Sequence, residues 1–262
     1  MSAILLNGSI VHYEALGRGR PIVFLHGWVG SWRYWIAAMQ AVATSFRAYA
    51  LDMFGFGDTA HLAAHYTLAQ QAMLLDRFPG EMGIGKIAIV GHGLGALVGL
   101  EFIKQFPGSV DRIMAVNCPM SYEAVSLRMR TAPLAELSSW LANRSPEINA
   151  ALTETARADP QAVSISLASL QADNLFGHLS QLNIPCLFVY GQNDPAISQP
   201  AAEAVAAYPL MTHHMVLDDV GHFPMIEDPQ RFNRLMTDFM VLEPGLSPRD
   251  LQLKEEWRRR VR

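Results

Sequence analysis

The chain has 262 residues, half of them hydrophobic, with 24 acidic and 20 basic side chains and a net charge of −4. That length and apolar content are enough to bury a large core, which argues against a disordered chain. No segment approaches the ~18 uncharged residues that a membrane span needs, and the opening MSAILLNGSIVHYE has neither a basic leader nor a long apolar run, so a soluble, unprocessed, cytoplasmic protein with no membrane partner is expected.

In chain order, ILLNGSIVHYEAL places Asn7-Gly8 between two short apolar or alternating runs, the signal of a two-residue hairpin turn and an antiparallel start. After GRGRP, the run IVFLHG is apolar without alternation, as in a strand buried on both faces of a parallel sheet. RAYALD, KIAIVG, RIMAVN and PCLFVYG repeat that type, mostly separated by helical patterns, which makes the fold class α/β with a doubly wound, mostly parallel sheet. Between residues 120 and 181 the strand rhythm stops and the text turns helical. A helical cap is expected there, over the carboxyl ends of the strands of a core formed by 1–119 and 182–245. The last unit, HHMVLDDVGHF, precedes PQRFNRLMTDFM, where Phe232, Leu235, Met236, Phe239 and Met240 form the apolar stripe of a packing helix. Residues 246–262 make a charged tail. Its PRDLQLKEEWRRRVR carries six basic and three acidic residues, leaving −7 on the rest, and reads as a solvated helix or frayed end, with no nucleic-acid partner.

Four stretches concentrate groups that can do chemistry. VGHGLGA, residues 90–96, follows a buried strand and has the nucleophile-elbow pattern usually written G-x-S-x-G, with Gly93 in the nucleophile slot. FLHGW puts His26 and Gly27 at the end of another strand, where the N–H of Trp28 can point at a developing oxyanion. VYGQNDPAIS delivers Asp194 just past a strand, and DDVGHFPMIEDP delivers His222 just past the last one. Elbow, acid and histidine come in the order found in α/β hydrolases.

On these motifs the chain resembles the α/β-hydrolase-fold proteins of the esterase, lactonase and carbon–carbon hydrolase group, from roughly residue 10 to 242. DMFGFGDT also resembles a family loop, in which Asp52 is structural. The family carries serine where this chain has Gly93. By resemblance His222 would be the general base, Asp194 would fix its tautomer and stabilise the imidazolium, and the N–H groups of Trp28 and Leu94 would form the oxyanion hole. Other nucleophiles are weaker readings: His92 points elsewhere on a sharp turn, and Cys118 reads as a small buried apolar residue. Cys118 and Cys186 have no metal-type spacing and are expected as reduced thiols. His61 and His65 have metal-compatible i, i+4 spacing but no carboxylate in their motif, and with no phosphate loop or nucleotide fingerprint, no metal and no cofactor are expected.

The elbow residue of this fold generally has positive φ, so glycine relieves strain while removing the hydroxyl. Three readings follow: a hydrolase-lineage enzyme in which His222 activates water, with weak or absent activity; a non-catalytic small-molecule binder or receptor on the same scaffold; or an engineered, inactive Ser-to-Gly variant. The ligand would be a small to medium apolar ester, lactone or similar carbonyl compound, in a pocket lined by His26, Met120, Trp140 and Phe223, and the protein a monomer or homodimer.

Overall fold

The computed structural model describes residues 2–6, 8–141, 146–172, 177 and 182–251. Strand β1 (Ser2–Leu6) pairs antiparallel with β2 (Ser9–Gly17), Leu6 facing Ser9. Gly8, between them, has φ +81°, and Asn7, the other half of the expected turn, lies outside the described residues. From β3 (Arg20–Leu25) the sheet grows in both directions. β4 (Phe46–Leu51) returns beside it and runs antiparallel to β2, whereas β5 (Ile87–His92), β6 (Val110–Val116), β7 (Cys186–Gly191) and β8 (Thr212–Leu217) add parallel strands on the other side. The sheet order is β1-β2-β4-β3-β5-β6-β7-β8. Every residue of β5 and β7 is buried, which is why these strands are spelled as continuous apolar runs.

Helices α1 (Ile36–Val42), α2 (Leu68–Glu81) and α3 (Leu94–Gln105) follow β3, β4 and β5. Right-handed crossovers place α1 on one face of the sheet and α2 with α3 on the other, because β4 lies on the opposite side of β3 from β5 and β6. Between β6 and β7 run α4 (Leu127–Thr131), α5 (Leu134–Leu141), α6 (Pro146–Ala151) and α7 (Pro160–Ala172). This segment sits on the loops that leave β3 and β4. Trp28 donates its indole N–H to Ser166 Oγ at 2.9 Å, Tyr66 donates to Asp159 at 2.8 Å, and Asp159 N–H reaches Gly55 O at 2.8 Å. Short α8 (Ala202–Ala206) and α9 (Pro224–Glu227) flank β8, and α10 (Pro229–Met240) packs on α1. Asp228 caps α10 through the Arg231 N–H, Pro229 opens it, and the whole expected stripe of Phe232, Leu235, Met236, Phe239 and Met240 is buried.

Two stretches differ from their sequence reading. HLAAHY forms only a 3-10 turn over Ala63–His65, because Leu62 is extended, so His61 and His65 share no helical face. His65 stacks on Phe54 with ring centroids 4.7 Å apart. The described start of the tail is docked: Arg249 donates to the carbonyls of Thr212, Tyr208 and Pro209, while residues 252–262 lie outside the described residues. Among the described residues no helix is long and apolar enough to cross a membrane.

Asp52 anchors the loop after β4. Its carboxylate takes the N–H groups of Trp32 (3.0 Å) and Asp58 (3.2 Å) and His12 Nδ1 (2.8 Å), which joins the end of β4 to β2 and to the turn before α1. Burial opposes its ionisation, but the His12 bond, the nearby His26 and the two N–H groups outweigh it and hold the carboxyl below its ordinary 3.8. Burial likewise opposes the charging of His12, and Asp52 outweighs it, so the imidazole lies above its ordinary 6.5. A depressed carboxyl stabilises the fold above its unfolded pKa and loses that contribution as pH falls through the folded value. A raised histidine stabilises fully below 6.5 and loses the contribution as pH rises through its folded value. Both contributions are present only between roughly pH 4 and 6.5. The Tm gap between the native chain and His12→Phe is therefore predicted to be widest near pH 5 to 6 and to narrow by about pH 9 and below about pH 3. A gap independent of pH would show that His12 acts by packing alone.

Candidate active site

The site is built where β5 hands over to α3. Strand and helix are separated by one residue, Gly93, which must reverse the chain and adopts φ +49°, ψ −109°. Its N–H donates to Val116 O at 2.9 Å and the Gly95 N–H to His26 O at 3.0 Å, so the turn is clamped between the ends of β6 and β3. A Cβ at position 95 would come within 2.3 Å of Leu25 O, which is why the motif needs glycine there. Position 93 differs. A Cβ would meet the Trp28 ring at 3.6 Å and Gly27 Cα at 3.7 Å, ordinary contact distances, so a side chain has room and only the backbone conformation opposes it. Leu94 opens α3, so its N–H has no helical carbonyl partner and belongs to the positive end of the helix dipole.

His222 and Asp194 arrive from the ends of β8 and β7. Nδ1 of His222 lies 2.9 and 3.0 Å from the two carboxylate oxygens, and both side chains are almost fully buried. Asp194 Oδ1 also accepts the N–H groups of Ala196 (2.7 Å) and Ile197 (3.2 Å), which orients the carboxylate. A carboxylate facing Nδ1 keeps the proton there and leaves the Nε2 lone pair available. The loop around His222 is held by two residues that sequence reasoning did not single out. Glu227 accepts from Gly221 N–H and Phe223 N–H, each at 2.8 Å, and Asn117 donates to His222 O at 2.9 Å while accepting from Gly191 N–H at 2.9 Å. The one sequence signal for Glu227 is its place five residues after His222; Asn117 has none beyond following β6.

The remaining expected site residues are placed as follows. Trp28 is buried, with its ring beside Gly93 and its indole tied to Ser166. Phe223 is buried edge-on against His222, centroids 4.9 Å apart. His26 has both ring nitrogens taken by backbone, Nδ1 at Gly27 O (2.8 Å) and Nε2 at Met53 N–H (3.1 Å), and is fully buried, so it braces two loops and presents no polar atom to a ligand. Met120 accepts a long contact from Tyr208 Oη at 3.7 Å, and Trp140 lies under the Arg128 guanidinium, 4.8 Å from ring to Cζ. Cys118 is fully buried and burial pushes its thiol far up, which suppresses the thiolate a nucleophile needs. His12, Asp52 and Asp58 bring ligand-type atoms within 4.8 Å of one another, and Asp52 there accepts three hydrogen bonds, from His12, Trp32 and Asp58.

A model of the alpha/beta hydrolase family matches residues 22–235. The putative carbamate hydrolases RutD of Shigella flexneri and Escherichia coli are 25% identical over 236 residues, covering 82% of this chain and 89% of theirs. Among solved structures, a hydrolase from Pseudomonas aeruginosa PA01 superposes with a TM-score of 0.80 at 18% identity, over 92% of this chain and 98% of that one. The enol-lactonase from Burkholderia xenovorans LB400 gives 0.78 at 18%, over 92% and 100%. A serine-to-glycine mutant of the N-acyl homoserine lactonase AidH, complexed with N-hexanoyl homoserine lactone, gives 0.79 at 19%, over 92% and 99%. At these identities the structural likeness speaks for the fold.

The Trp28–Ser166 bond is the test of how the helical segment holds the site. Ser166→Ala strands a buried indole N–H, a loss of about 1–3 kcal/mol in urea unfolding. A loss under about 0.5 kcal/mol would show that the indole finds another acceptor.

Proposed function

The chain belongs to the alpha/beta hydrolase family, and on that premise we propose that it hydrolyses a small to medium apolar carbonyl compound with water as the nucleophile. The observation that carries this reading is the intact His222–Asp194 pair, buried and oriented, beside an elbow whose residue has no side chain. Burying two polar side chains costs desolvation, so a pair held and oriented by this many hydrogen bonds is better explained by work at the site.

The volume left by the missing hydroxymethyl is about that of one water, with His222 Nε2 as a polar partner. His222 removes a proton from that water as its oxygen bonds to the carbonyl carbon, and the carbonyl oxygen becomes an oxyanion facing the N–H groups of Leu94 and Trp28. Asp194 stabilises the imidazolium. Collapse of the tetrahedral intermediate breaks the bond to the leaving group, which takes the proton back from His222, so the reaction releases acid and alcohol without an acyl-enzyme. Helices α4 to α7 act as a cap that excludes bulk water, with Trp28 and Phe223 supplying apolar walls. Esters and lactones suit such a site, and carbamates, the class named for the RutD relatives, present the same kind of carbonyl.

Gly93 itself favours a second reading, binding without turnover, and the two are separated by rate. In subtilisin, loss of the serine alone costs about 10⁶ in turnover while roughly 10³ to 10⁴ over water remains. The chain as it stands is expected to hydrolyse short-acyl nitrophenyl esters slowly, to lose that rate in His222→Ala, and to gain several orders of magnitude in Gly93→Ser. Tight ligand binding with no His222-dependent hydrolysis in either form would leave the binder as the function.

A further inference from the structure

The hydrolytic scheme makes no use of His92, yet its surroundings are specific. The ring is fully buried at the end of β5, and besides Tyr34 its polar neighbour is the backbone of His222. Burial first, and the neighbouring His222 second, hold its pKa well below the ordinary range, so the ring is neutral and carries a single proton. Tyr34 decides which nitrogen has it. The tyrosine oxygen accepts the Gly27 N–H in a short bond and lies 3.0 Å from His92 Nδ1. Burial raises the phenol far above its ordinary range, so Tyr34 keeps its proton, and Nδ1 is the acceptor within its reach. Nδ1 therefore accepts, and the ring proton sits on Nε2.

The contacts on either side tie this pair to both halves of the site. A Cβ on Gly27 would come within 2.9 Å of His92 Nδ1, so glycine at 27 reflects the close approach of the ring to the residue that precedes Trp28. On the other side the His92 ring lies 4.7 Å from His222 and 5.5 Å from Phe223, and the Tyr34 ring lies 5.8 Å from Phe223. The His222 backbone, whose carbonyl accepts from Asn117, also faces the His92 ring. We infer that Tyr34 and His92 are positioning residues that lock the loop carrying the Trp28 N–H to the loop carrying His222, through the Gly27–Tyr34–His92 hydrogen bonds and the packing of His92 on His222. The proton acceptor and the oxyanion donor then keep one spacing. The catalytic meaning of this lock rests on the hydrolytic reading of His222; the tautomer and the coupling do not.

Ring-nitrogen NMR of the full chain tests it. His92 is expected as the Nε2–H tautomer with no titration between about pH 5 and 8. Tyr34→Phe keeps the ring and removes the donor, so His92 is expected to gain the Nδ1–H form and the ring-nitrogen shifts of the adjacent His222 to move. In the Gly93→Ser background the same change is expected to lower kcat roughly tenfold at unchanged KM, the mark of lost alignment. An Nδ1–H tautomer in the unmodified chain overturns the inference even if the variant fails to fold. A folded Tyr34→Phe whose His222 ring-nitrogen shifts match the parent overturns it as well. Inert Gly93→Ser combined with the expected NMR changes would instead overturn the hydrolytic reading and leave the lock standing.

Discussion

Gly93 must turn the chain from a buried strand into a helix within one residue, and the site is organised around the backbone that results. At φ +49° and ψ −109° the turn stays in place because its N–H groups are consumed by Val116 O and His26 O, carbonyls at the ends of the strands on either side. That clamp sets the Leu94 N–H at the head of α3 beside the Trp28 loop. It also fixes where the loops from β7 and β8 must deliver Asp194 and His222, since both leave the same edge of the sheet. The turn depends on glycine at 95 for space, while at 93 glycine relieves conformational strain and leaves the volume of a side chain open.

The arrangement around His222 is costly to maintain. Asp194 and His222 are buried together, and the carboxylate needs two backbone N–H groups besides the imidazole. Glu227 is committed to two N–H groups on either side of His222, and Asn117 to the His222 carbonyl and to the Gly191 N–H at the end of β7. Each of these is a preorganised hydrogen bond on the loop that carries His222, and together they hold the histidine in one orientation, as the proposed general base requires. Trp28 links this arrangement to helix α7, because the residue whose N–H is proposed for the oxyanion has its indole bonded to Ser166, 138 residues away.

The sheet was legible in the sequence because strands buried on both faces must be written as unbroken apolar runs, and the stripe on α10 because a surface helix must alternate faces. Asp194 and His222 were legible from motif and chain order. Tyr34, Asn117, Ser166 and Glu227 were not, since each acts through one hydrogen bond to a distant or irregular partner, and the sequence separations between Tyr34 and His92 or Asn117 and His222 leave no local pattern. His26 shows the opposite limit. Its place in FLHGW marks the right loop, but only the bonds to Gly27 O and Met53 N–H reveal a brace where a pocket wall was expected. The HLAAHY spacing suggested a helical pair of histidines, and an extended Leu62 breaks the helix before it begins.

In the proposed reaction water attacks the carbonyl carbon directly, with no covalent intermediate on the chain. Intact-protein mass spectrometry of the unmodified chain during turnover of an activated ester, read beside the early time course of product release, addresses it most directly. Direct attack predicts an unmodified mass throughout and product formation that is linear from the first turnover. An acyl increment on the chain, or a burst of about one equivalent of product, would mean that another side chain is the nucleophile and would contradict the account.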